Sequence, residues 1–475
     1  MKGKQSLKGK GNITRSNTYP SECMVFPGLT VVLTLIITGI FALPVLADQI
    51  DEFLKRGTAL KDSGQIDQAI VKFEEVLKLK PKHAIANFEL GQCHLEKKEC
   101  ETSIRYLNNA LSFGYDPLEG HLALAEAYRV CDKNTEAVME YQLAIGIQPN
   151  NPALHVELGD LSLEKGSIQL AEKEYSKALE IDRKYVPAML GLANVCKKRG
   201  QLKEAESFCE KAKTTNPDYA LTYCFLGEFY ALQKQYDKSM SELTKYTLLE
   251  PKNPKGYIAL AEVHEKMRDY PSAIKDIRQA IEYGDTAVSN LRFLASLYAQ
   301  NKQPYEAGEV LKQIVAKVPE DVTGWLDLAK VSSETDSFQA AASAYHQALS
   351  LDSTQLSSIA FNLGLVYYQL AKYDSAVAMF SEKIRLDSLA TGAYVNRALS
   401  YMQLKRYKPE AIDDFKKALK NEPNYIQVHL WLAQIYAFLN MRKAAKTEFH
   451  TVLKLDPENK EAKEGLKELD LPSQP

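Results

Sequence analysis

A small residue returns at a fixed interval along almost the whole chain. It stands at Ala69, Ser103, Ala137, Ala171, Ala205, Ser239, Ala273, Ala307 and Ala341, each 34 residues after the last. The series continues at Ala376, Ala411 and Ala445, with steps of 35, 35 and 34. A second small-residue series runs upstream in phase with it: Gly57, Gly91, Ala125, Gly159, Ala193, Gly227, Ala261, Ala295, Ala329, Gly364, Ala398 and Ala433. Two phase-locked series over twelve units require a stack of like modules. A chain of 475 residues is in any case too long for one hydrophobic core.

Each unit contains two stretches with apolar residues at steps of three and four, the pattern of an amphipathic helix. In PALHVELGDLSLEKGSIQLAEKEYSKALEIDRKY, Leu158, Leu161 and Ser162 continue one face of a first helix. Gly166 supplies the turn, and Ala171, Tyr175 and Ala178 line a second helix. Closely packed helices need a small residue where their backbones approach, so Gly159 is expected to face the region of Ala171. Aromatic residues recur beside the crossing at Phe73, Tyr141, Tyr175, Tyr345, Phe380, Phe415 and Phe449. Prolines are expected to stop the second helix at Pro81, Pro149, Pro217, Pro251, Pro319, Pro423 and Pro457. Where proline is missing, Gly114 and Gly284 are placed to end it with a left-handed cap.

These small, aromatic and proline positions resemble the tetratricopeptide repeat family, whose unit is a helix–turn–helix of about 34 residues. The resemblance spans residues 50–459. It implies an all-α, right-handed superhelical solenoid of about twelve repeats. Residues 460–471, KEAKEGLKELDL, read as a capping helix that solubilises the end of the stack, with residues 472–475 as a tail. Tyr246 and Lys383 replace the alanine found near the end of the second helix in most units, and are expected to loosen or bend the stack. The extra residues before Gly364 and around Pro409 are expected to fall in turns.

The amino-terminal part differs in kind. Residues 1–23 carry Lys2, Lys4, Lys8, Lys10 and Arg15 against Glu22. The uncharged run 24–47, MVFPGLTVVLTLIITGIFALPVLA, is long enough to span a bilayer, which needs roughly 20 apolar residues. Asp48, Asp51 and Glu52 follow it. This asymmetry keeps residues 1–23 in the cytoplasm and exports the rest, with 24–47 acting as an uncleaved inner-membrane anchor or a signal peptide. The expected location is periplasmic, membrane-anchored or secreted. With a formal net charge of -2 and the basic residues set before the apolar run, the rest is mildly acidic, which disfavours nucleic acid.

The 7 cysteines form no CxxC pair, so zinc-ribbon and thioredoxin-like sites lack support. Cys196 and Cys209, on consecutive helices, are the pair placed for a disulfide. The alternative is that the cysteines serve as small buried fillers. No GxxxxGK[ST], HExxH or GxSxG motif occurs, and the repeats leave no room for a catalytic domain. The histidines at His94, His121, His155, His264 and His429 take places where the family has aromatics, and read as packing residues. No enzyme activity, metal or small-molecule cofactor is expected.

Function is therefore expected on a surface, and the resemblance implies that the first helices line a groove in which proteins or peptides dock. Upstream, that edge carries charges such as Lys61, Glu89, Glu126, Arg129, Asp160 and Glu262. In the last three units it turns apolar and aromatic at Leu365, Tyr368, Leu399, Met402, Trp431 and Phe438. Asn362 and Asn396 stand among them one repeat apart, each offering a donor and an acceptor to an extended peptide. The lysine that grips a chaperone carboxylate in some members is replaced by an apolar residue or cysteine in every unit except at Arg292. The leading expectation is an exported or membrane-tethered interaction scaffold in an envelope assembly or secretion system. The alternative is an adaptor subunit presenting substrate to a separate glycosyltransferase or protease.

Overall fold

A helix of thirteen or fourteen residues is marginal by itself in water, so each helix of this chain depends on burying a stripe against its neighbours. The computed structural model describes residues 46–470. The basic segment 1–23, the apolar run up to residue 45, the last residue of the expected cap at position 471, and the tail 472–475 lie outside the described residues. Among the described residues, no helix is long and apolar enough to cross a membrane.

The described chain is all-helical and forms two units, meeting at residues 208 and 209 inside the helix Leu202–Thr215. Unit one begins with the helix 46–62 and its partner Ile66–Leu79. Three further pairs follow: Ala84–Glu96 with Cys100–Ser112, Pro117–Val130 with Asn134–Ile147, and Pro152–Glu164 with Ile168–Ile181. Val186–Lys198 follows them. Unit two continues the solenoid-like alternation from Ala220–Leu232 and Tyr236–Leu249 to Ile426–Phe438 and Arg442–Leu455. It closes with the single helix Lys460–Asp470.

Each of the seven prolines lies two residues beyond the second helix of its repeat, as at Leu79/Pro81 and Leu249/Pro251. Gly114 and Gly284 adopt positive φ, +86° and +101°. Beyond them, Tyr115 N–H bonds Ala110 O at 2.9 Å and Asp285 N–H bonds Ala280 O at 3.2 Å, closing the helix ends.

The crossing is built differently from the sequence expectation. Gly159 faces Tyr175, not Ala171: a Cβ on Gly159 would meet the ring at 2.7 Å, and one on Gly191 of the next repeat at 2.4 Å. The ring therefore lies between two helix backbones, while Ala171 is small because it is itself fully buried. Tyr246 is likewise accommodated rather than loosening its repeat. It is completely buried, and Gly256 gives up the room, with a hypothetical Cβ 2.6 Å from the Tyr246 ring.

The extra residue before Gly364 lies near the short 3-10 turn Ser353–Gln355. The one near Pro409 does not sit in a simple turn. It widens the start of a second helix into a π-type segment, Tyr407–Ala411, with Lys408 extended at its kink.

Among the described cysteines, the disulfide joins Cys100 and Cys131, whose Cα atoms are 5.8 Å apart. Cys100 opens a second helix and Cys131 follows the next first helix, so the bond staples adjacent repeats. The expected Cys196–Cys209 bridge does not form. Both remain buried thiols within helix interiors, matching the filler reading.

Candidate functional site

The first helices keep one edge in solvent because their other faces are occupied by the second helices and by neighbouring repeats. In unit one this edge is charged, and its charges meet one another. Lys61 pairs with Glu89 and donates to Gln92 Oε1 at 3.0 Å. Arg129 grips both oxygens of Glu126 at 2.7 Å. Asp160 accepts from the Tyr175 hydroxyl at 2.6 Å.

In unit two, the Glu262 side chain reaches solvent, yet packing around its carboxyl strips enough water to raise its pKa, and the Glu228 charge adds to this. A raised folded-state value means that the folded chain holds this proton more tightly than the unfolded one. Stability from this group is therefore full below the ordinary carboxylate range and is lost as pH rises through the folded value. Glu262→Gln is expected to raise the thermal midpoint at about pH 7 and to leave it unaltered near about pH 4. Equal shifts at the two pH values would contradict this.

The histidines combine packing with a polar clasp. Nδ1 of His121, His155 and His429 lies 2.6, 2.8 and 2.6 Å from Glu140, Glu174 and Glu448, each nineteen residues on. His264 meets Asp276 at 2.8 Å. A second recurring bond spans six residues: Tyr223, Tyr257 and Trp325 donate to the carbonyls of Pro217, Pro251 and Pro319 at 2.7–2.9 Å. His429 Nε2 makes the same contact with Pro423 at 2.9 Å. These bonds fix the entry of each first helix relative to the preceding turn.

The last three repeats present a different edge. Asn362, Leu365, Tyr368 and Gln369 come from Leu356–Gln369, and Asn396, Leu399, Met402 and Gln403 from Thr391–Gln403. Trp431, Gln434, Ala437 and Phe438 take the same places on Ile426–Phe438. All twelve reach solvent and none is charged.

The structure brings several of them together. Gln403 Nε2 approaches the Tyr368 hydroxyl at 3.5 Å, linking two first helices. Leu399, Met402 and Trp431 pack against one apolar cluster. Trp431 stacks on Phe415 with ring centroids 5.6 Å apart, so one of its faces belongs to the core. Phe438 is 71% exposed, and its ring tilts against that of Tyr407 with centroids 5.0 Å apart. Asn362 lies beside the Tyr345 hydroxyl. Asn396 donates one amide N–H to Gly392 O at 2.8 Å, and its oxygen stays an acceptor. Leu365 is partly exposed on the same helix as Asn362.

Sequence reasoning missed Gln369, Gln403 and Gln434, although Gln369 and Gln403 stand at 34- and 35-residue steps before Phe438, and Gln434 stands 35 residues after Leu399. It also missed the cleft where the edge ends. That cleft, of roughly 530 Å³, is lined by Gln434, Ala437, Phe449, Gly465, Leu469 and the carboxylates Glu461, Glu464 and Glu468.

Three family models, each described as a tetratricopeptide repeat, match residues 162–223 and 393–469, 54–117 and 258–322, and 220–253 and 357–388. Together these stretches cover more than half of the chain. The chain belongs to the tetratricopeptide repeat family. It is 21% identical over 369 residues to the human protein O-mannosyl-transferase TMTC3, a match covering 77% of this chain and 38% of that protein. It is 21% identical to stress-induced-phosphoprotein 1 of Caenorhabditis elegans, over 53% of this chain and 77% of that one. The chain thus spans well under half of the human relative. Among solved structures, a tetratricopeptide repeat protein from Parabacteroides merdae is 18% identical, with a TM-score of 0.45, over 53% of this chain and 99% of that one. A tetratricopeptide repeat framework of this kind is a scaffold suited to protein–protein interaction.

Proposed function

We propose that this protein is an exported or membrane-tethered scaffold that holds partner proteins along the first-helix edge of its last three repeats. The observation that carries the reading is that edge: twelve solvent-reaching positions without a charge, with Phe438 71% exposed. An exposed aromatic beside side-chain amides, each carrying a donor and an acceptor, suits an extended peptide, whose backbone needs both. Methionine and leucine beside them adapt to varied side chains.

Export is supported by the basic residues before the run 24–47 and the acidic ones after it. The Cys100–Cys131 disulfide suits an oxidising compartment. In that compartment the scaffold would serve an envelope assembly or secretion system. A second reading, an adaptor that presents substrate to a separate transferase, draws on the likeness to part of a human O-mannosyl-transferase.

The test is affinity capture from membranes with the full-length protein. Asn396→Ala combined with Trp431→Ala is expected to lose partner capture with helical content unchanged. Because Trp431 also stacks on Phe415, Phe438→Ser serves as the variant at a mostly exposed side chain. Undiminished capture by both variants would remove the groove from consideration.

A further inference from the structure

The charge-free edge does not simply run out at the end of the chain. Gln434 and Ala437 belong both to it and to the cleft beneath the closing helix Lys460–Asp470. That helix is held close. Ala462 is fully buried, and a Cβ on Gly465 would meet the Phe449 ring at 2.3 Å. Phe449, Leu469 and Ala437 give the cleft apolar walls.

Its charge is one-sided. Glu461, Glu464 and Glu468 fall at steps of three and four, so they share one side of the helix, and all three line the cleft. Lys460, Lys463 and Lys467 follow the adjacent stripe of the same helix, and no lysine or arginine lines the cleft. Among the described residues, none of the three carboxylates forms an ion pair, whereas Lys463 is taken by Glu458 at 3.0 Å. A continuous surface thus offers neutral contacts along three repeats and then concentrated negative charge at its end.

Resting on the groove reading above, we propose that the occupant is an extended partner segment, uncharged along most of its length and cationic at the end that reaches the cleft. A lysine or arginine side chain, or a free amino terminus, is the group that the three carboxylates would recognise. Phosphate or an acidic peptide is repelled there. Complementarity of this kind sets orientation and partner choice more than bulk affinity. It fixes which way the segment lies, because only one end of the edge is acidic.

The experiment pans a displayed library of random dodecapeptides on the full-length protein in detergent. It is repeated with Glu461→Gln/Glu464→Gln/Glu468→Gln and with Asn396→Ala/Trp431→Ala. Peptides selected by the parent are expected to carry Lys or Arg gathered at one end, and the triple variant is expected to select no such bias. A synthetic winner should bind the triple variant roughly tenfold more weakly at low salt, an effect that salt erases. Winners without basic bias, or with equal bias on the triple variant, overturn the proposal. If those unbiased winners are lost with Asn396→Ala/Trp431→Ala, the groove reading survives and only the cationic end fails. If biased winners bind Asn396→Ala/Trp431→Ala as well as the parent, the groove reading fails instead. Winners resembling residues 1–23 would put the chain's own basic segment in the cleft and overturn the assignment to a partner. Selection of no binder at all counts against both.

Discussion

Tyr175→Ala is expected to cost about 3–5 kcal/mol, placing it among the most damaging single changes in unit one. The ring is completely buried, and it stands against two residues with no side chain, Gly159 and Gly191, where added Cβ atoms would sit 2.7 and 2.4 Å from it. Removing it leaves a void walled by helix backbone, which cannot collapse as flexible side chains can. It also takes the hydroxyl donor, 2.6 Å away, from Asp160. Tyr175→Phe keeps the ring and removes only that bond, for a cost of about 0.5–1.5 kcal/mol. Urea unfolding followed by circular dichroism gives the two losses. Because repeats are stabilised by their neighbours, hydrogen exchange should rise first in 152–164, 168–181 and 186–198. A midpoint for Tyr175→Ala equal to that of the parent would mean that the ring does not fill this space.

The same site shows what the sequence could and could not disclose. The period, the prolines and the two glycine caps were legible because each is imposed by backbone geometry that few residues satisfy. The partner of Gly159 was not, since a small residue announces a close approach without saying what approaches. The turn between the paired helices is a sharper case. Its left-handed residue recurs in every repeat, yet only Gly64, Gly166 and Gly200 reveal it. Lys98, Asp132, Lys234, Arg268, Lys302, Asp336, Ala371, Lys405 and Asn440 adopt φ between 55° and 61° at the same phase. Packing of the two helices overrides the local preference of these residues, a cost of roughly 1–2 kcal/mol each.

At the candidate site, the loss of charge over three repeats was visible in the sequence. The division of Trp431 between core and edge was not, because it depends on Phe415 in the preceding repeat. The cleft depends on how the closing helix seats on Phe449, which no periodicity specifies. The disulfide followed the same logic. Cys100 and Cys131 are 31 residues apart and belong to different repeats, so only the packing of one repeat on the next brings them together.

Arg397→Ala is expected to destabilise unit two by about 3–5 kcal/mol, and to disturb the uncharged edge proposed for binding. Arg397 Nε and Nη2 donate to the two oxygens of Asp414 at 2.7 and 2.8 Å, and Nη1 donates to Ser381 Oγ at 2.8 Å. Asp414 is 3% exposed, so loss of the guanidinium leaves a buried carboxylate with no countercharge. The energetic signature of such a pair is that breaking it costs far more than replacing it. Arg397→Met with Asp414→Leu is therefore expected to recover most of the lost stability.

The pair also bears on function through position. Ser381 lies on the second helix of the tenth repeat, whereas Arg397 follows Asn396 on the first helix of the eleventh. The guanidinium thus sets how the helix carrying Asn396, Leu399 and Met402 seats against the repeat carrying Asn362 and Tyr368. Partner capture should fall in Arg397→Ala and return in the double apolar variant, since neither substituted residue belongs to the edge itself. Thermal melting and membrane capture measured on the same three proteins separate the two roles. Capture that stays intact while the melting temperature drops would show that partners do not read the spacing between these repeats. Recovered stability without recovered capture would make the direction of the Arg397 bonds, and not the packing they support, the feature on which the edge depends.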